Sequence, residues 1–144
     1  MHDWRKLLAV AAMAFPALAI AQRDMEPGNW HITTRATTNG KAEPIQVQDE
    51  CLRDELKDLA AYFAPSLEGM QAQCNRTPQK VAPNAIAYKM RCTGKGFTLD
   101  AESHVDVVDR KKFTATLKMD TKTPKERGLV VAKVEGVHTG DCKP

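Results

Sequence analysis

The sequence predicts a mainly β (α+β) domain: a curled antiparallel meander of about seven strands, half-barrel or lipocalin-like, with one amphipathic helix between the second and third strands. Three observations carry this expectation. Apolar and polar residues alternate with a period of two along nearly every stretch from Trp30 to His138. Turn signals separate those stretches at short intervals, as a meander of neighbouring strands requires. Only Cys51 to Phe63 breaks the pattern, with Leu52, Leu56, Leu59, Ala60 and Phe63 at helical spacing.

Each element has its own local reason. Pro27-Gly28 is a turn signal at the entry to the fold. Along the first strand Trp30, Ile32, Thr34 and Ala36 share one face, and His31, Thr33, Arg35 and Thr37 share the other. Asn39-Gly40 is a hairpin turn, and a two-residue loop there sets Ile32 opposite Val47 and Thr34 opposite Ile45. The helix of 51–63 carries acids near its start, where the helix dipole favours them, and ends before Pro65. Cys74 to Cys92 folds back at Ala82-Pro83-Asn84, which sets the two cysteines opposite each other. Pro78 marks the Cys74 strand as short or at a sheet edge. The clearest strand is 96–108, with Phe97, Leu99, Ala101, Ser103, Val105 and Val107 on its inner face. Phe113, Ala115, Leu117 and Met119 repeat the pattern. A charged loop, 121–128, precedes the last strand, 129–139, whose inner positions are Val130, Ala132, Val134, Gly136 and His138.

The chain has 144 residues, enough for one domain, and a formal net charge of +3 with acids and bases interspersed. That balance argues against a nucleic-acid groove, which needs clustered Lys and Arg. Residues 1–21 read as a signal peptide. Arg5 and Lys6 precede the apolar run Leu7 to Leu18, and Ala19-Ile20-Ala21 is a cleavage signal. The run is short for a membrane span, which needs ~20 residues. Residues 22–144 are then a single exported β domain, periplasmic or secreted, with no membrane span after cleavage.

Export makes the four cysteines, Cys51, Cys74, Cys92 and Cys142, a disulfide framework. Their wide spacing lacks the close ligand pairs of a zinc site. The hairpin register pairs Cys74 with Cys92, since directly opposed strand residues approach within ~5 Å. Elimination and an antiparallel first and last strand then pair Cys51 with Cys142. This closes a loop of roughly ninety residues, for which chain entropy gives ~4–5 kcal/mol. Cys51–Cys74 with Cys92–Cys142 is the rival arrangement.

The Pro27-Gly28-Asn29-Trp30 entry, Cys51 before a short helix, the Cys74/Cys92 hairpin and the Gly140-Asp141-Cys142 ending occur in this order behind an export signal. In this the chain resembles the bacterial secreted family catalogued as domain of unknown function 3617. The resemblance implies a periplasmic or secreted all-β or α+β domain and brings no activity. The chain departs from the family's Cys-x-Thr/Ser-Pro helix start, having Cys51-Leu52-Arg53-Asp54, and its loops are charged rather than rich in Met and Gly.

No catalytic motif is present: no Gly-rich phosphate loop, no G-x-S-x-G and no H-E-x-x-H. His31, His104 and His138 stand apart, without ligand spacing. Asp100, Glu102 and Asp106 alternate along one face, as on any wet strand. The expectation is a non-enzymatic domain without cofactor or metal that binds a small hydrophobic ligand. Trp30, Tyr88, Phe97 and Phe113 are its pocket candidates. The alternative is an interaction module that docks an envelope protein through a sheet edge or the helix.

Overall fold

The computed structural model describes residues 25–144, so the signal peptide expected at 1–21 lies outside the described residues. The chain forms one antiparallel sheet: β1 (Gly28–Thr38), β2 (Lys41–Ala42), β3 (Gln46–Leu52), β4 (Ala72–Ala82), β5 (Ala85–Gly94), β6 (Phe97–Asp109), β7 (Lys112–Lys122) and β8 (Arg127–Gly140). The order across the sheet is β2-β1-β8-β7-β6-β5-β4, with β3 also paired to β1. The meander is therefore present, and the sheet is open, with β3 at one edge and β4 at the other.

Alternation becomes burial as expected. Trp30, Ile32, Leu99, Ala101, Val105, Phe113, Ala115 and Val134 all lie in one buried cluster. Gly136 lets the largest of them meet. It sits on β8 between Ile32 of β1 and Phe113 of β7. The Phe113 ring fills the space a side chain there would occupy. Trp30 and Phe113 then stack across the intervening strand with ring centroids 5.3 Å apart.

The second strand of the sequence reading is two strands here, β2 and β3, separated by a bulge. Asn39 and Gly40 both have positive φ (51° and 80°), and the turn pairs Thr38 with Lys41 and Thr37 with Ala42. Further on the register has slipped by one residue, so that Thr34 faces Gln46, Thr33 faces Val47 and Ile32 faces Gln48. Glu43 still donates to Ala36 O, which leaves Pro44 and Ile45 together opposite Arg35. Pro44 has no N–H to give the ladder, and a bulge is where a strand tolerates it. A one-residue slip moves every side chain to the other face. The expected pairs Ile32–Val47 and Thr34–Ile45 are therefore corrected: Ile45 and Val47 are 57% and 56% exposed.

The helix is shorter than expected and starts later. Cys51 and Leu52 belong to β3, which leaves a 3-10 turn, Asp54–Asp58, followed by α1, Leu59–Tyr62. Arg53 offers no capping side chain. The Asp58 carboxylate accepts from Ala61 N at 3.0 Å and caps α1 instead. Leu59 and Ala60 are buried beneath it, and Leu56 and Phe63 pack against the core.

The hairpin of β4 and β5 places Cys74 opposite Cys92. Its turn is tighter than expected, with Ala82 pairing Ala85 and a register shift between Lys80 and Ala82. Strand β4 is at an edge, as Pro78 suggests, but it is 11 residues long. The loop expected at 121–128 is also shorter, because β7 and β8 stay paired to Lys122 and Arg127. The disulfides are Cys51–Cys142 and Cys74–Cys92. Among the described residues no helix is long and apolar enough to cross a membrane.

Candidate functional site

Between the end of α1 and the inner face of β5 to β8 lies a partly enclosed pocket of about 170 Å³. Phe63, Ala64 and Pro65 form its helix side. Tyr88, Ala101, Ser103, Leu117, Met119, Val130 and Ala132 form its sheet side. The pocket exists because the inner face is small here. Ala101 and Ser103 on β6 and Ala132 on β8 stand where Trp30 and Phe113 fill the other end of the same face.

The polar groups in this wall are already engaged. Ser103 Oγ donates to Ala60 O at 3.2 Å, tying β6 to α1. Tyr88 Oη donates to Met90 Sδ at 3.8 Å, both side chains being buried. Glu102 borders the pocket, but its side chain lies on the outer face, 3.7 Å from Lys89 Nζ. The pocket therefore presents hydrocarbon and no charge. It can hold an alkyl or aryl group and offers nothing to an ion.

Of the four aromatic candidates, the structure brings only Tyr88 to this pocket. Trp30 and Phe113 are fully buried in the packed core. Phe97 lies over Gly94, its cross-strand partner. The residues that sequence reasoning missed are Phe63, which was read as the end of a buried helix stripe, and the small and flexible ones, Ala101, Ala132 and Met119. A signal for them was in the sequence: alanines at inner positions of two long strands leave room that large side chains would fill.

The histidines are dispersed. His31 Nδ1 lies 2.9 Å from Asp49 Oδ1 on the outer face. His104 Nε2 lies 3.3 Å from Asp106 Oδ1 on the same strand. His138 stacks edge-on against Trp30 and approaches Pro27 O. No group of three or more His, Cys, Asp or Glu among the described residues could hold a metal ion. Among the described residues the strongly shifted acid is Tyr62, at the end of α1. Burial, and the Glu50 carboxylate that accepts its hydroxyl at 2.9 Å, push it up to about 12.

The order of cysteines, the Trp30 entry and the closing Cys142 all lie within one stretch, and the family model described as "Protein of unknown function (DUF3617)" matches residues 25–142. The chain belongs to this family. In this DUF3617 chain each disulfide reaches an edge of the sheet: Cys51 lies on edge strand β3 and Cys74 on edge strand β4. No curated protein and no solved structure matches it.

Proposed function

We propose that this DUF3617 chain is an exported, non-enzymatic binding domain that takes a small neutral apolar ligand, or the apolar end of a larger one, between α1 and the sheet. The observation that carries the reading is the pocket of about 170 Å³ with a hydrocarbon wall and no inward charge. Its size sets the ligand class. A dry apolar cavity of about 150 Å³ accepts benzene, and pockets for drug-sized ligands run to roughly 300–1,000 Å³. A single aryl ring or a short alkyl segment fits, and a whole lipid does not. Export to the periplasm is supported by the Arg5–Ala21 leader pattern and by both cysteine pairs being joined.

Thermal unfolding in the presence of toluene tests the reading. A ligand that binds only the folded chain raises Tm with concentration. Toluene should raise it saturably and benzoate should not. Ala132→Phe, which fills the pocket, should abolish the effect. An unchanged Tm, or an equal response from the filled variant, counts against the proposal.

A further inference from the structure

The face of the sheet turned away from α1 carries a second pattern. Arg35 of β1 stands directly opposite Lys133 of β8. Lys118 of β7 is opposite Val131, two residues from Lys133, and so lies diagonal to it. All three side chains are exposed. Like charges directly opposed across strands destabilise a sheet; Arg35 and Lys133 are so placed, while Lys118 has Glu102 as its direct partner on β6. Among the described residues none of the three enters an ion pair, whereas the surrounding cations do. Lys112 reaches Glu135 at 3.3 Å, Lys89 reaches Glu102 at 3.7 Å and Arg91 reaches Asp100 at 3.3 Å. The carboxylates bordering the patch are thus already occupied, including Asp49, held by His31 at 2.9 Å.

Beside these cations the Pro44–Ile45 bulge delivers apolar surface. Ile45 lies opposite Arg35, and Val47 is on the same outer face opposite Thr33. Both are more than half exposed. Burying them would have required only the unslipped register. We propose that this patch docks the protein on an anionic phospholipid surface, with Arg35, Lys133 and Lys118 meeting lipid phosphates and Ile45 and Val47 entering the headgroup region. A membrane surface supplies both chemistries the patch presents, negative phosphate and an apolar boundary. Free phosphate would leave the two apolar side chains without a counterpart. The inference is independent of the ligand pocket, which opens on the other face.

Co-sedimentation with vesicles of phosphatidylglycerol and phosphatidylcholine, compared with phosphatidylcholine alone, tests it. The leader carries Arg5 and Lys6 before its apolar run and would itself favour the anionic vesicles, so the readout is the change in that preference between variants of the same chain. The purified protein should prefer phosphatidylglycerol and lose that preference as salt rises. Arg35→Glu with Lys133→Glu should weaken the binding by about tenfold or more. Lys95→Glu with Lys125→Glu, the same charge change in two distant turns, should leave most of it. Ile45→Ser with Val47→Ser should weaken binding while its salt dependence persists. Circular dichroism of each variant confirms that the sheet is intact. The proposal is overturned if the protein shows no preference for anionic vesicles, if the two charge variants fall equally, or if inorganic phosphate alone competes the vesicles off.

Discussion

Gly136 decides how the core closes. A methyl group there would collide with the Phe113 ring, which is fully buried and stacked between Trp30 and Phe63. The ring has no free space to move into, so Gly136→Ala should destabilise the protein by about 2 kcal/mol, read from urea unfolding. Gly94→Ala meets Phe97 in the same way, but that ring is only half-buried and can swing outward, so the loss should be smaller. Tyr62 contributes a pH dependence. Its folded pKa of about 12 lies above the ordinary 10.0. A raised pKa means that its stabilisation is complete below pH 10 and is lost as pH rises towards 12. Tyr62→Phe should therefore flatten the fall in stability over that window, and a wild-type curve that already matches the variant's would contradict this. The inner positions of the long strands were legible at this scale because a period of two allows only two faces. The contact between Tyr62 and Glu50 was not, since it depends on where a helix docks and on a register slip that turns Glu50 inward.

The slip is the main lesson at the scale of elements. Asn39-Gly40 defines a two-residue turn, and the turn forms as read. Extending its register down the hairpin fails because Pro44 cannot join the ladder and the chain inserts an extra residue to pass it. Removing Ile45 should take out the extra residue and make the ladder continuous from the Asn39-Gly40 turn, with the pairs beyond it unchanged: Val47 stays opposite Thr33 and Cys51 opposite Asn29. Non-reducing peptide mapping of the deletion variant should therefore find both Cys51–Cys142 and Cys74–Cys92 retained. Loss of the Cys51–Cys142 bond would contradict the bulge account. The helix shows the same competition between local pattern and context. Its apolar spacing starts at Leu52, yet Leu52 pairs with Gly28 as a strand residue. Without a cap at Arg53 the helical turn is delayed until Asp58 supplies one.

For the molecule as a whole, an open sheet has two edges that closure into a barrel would have removed. Each edge strand is fastened covalently: β4 to β5 by Cys74–Cys92, and β3 to the chain end beyond β8 by Cys51–Cys142. The cysteine pairing was legible as the favoured of two arrangements, because the hairpin register opposes Cys74 to Cys92 and elimination leaves Cys51 for Cys142; the structure has this arrangement and not the rival. The pocket was not, because aromatic side chains drew attention to the end of the inner face that is packed solid. Room for a ligand arises at the other end, where the short side chains of Ala101 and Ala132 leave space beside the end of α1. The central claim is that a small neutral apolar group fills this room. Methyl-labelled methionine NMR tests it most directly, because Met119 lines the pocket and Met70 is exposed outside it. On titration with toluene the Met119 methyl signal should shift saturably and the Met70 signal should stay. A Met119 signal that does not move, or that moves only as Met70 does, would contradict the account.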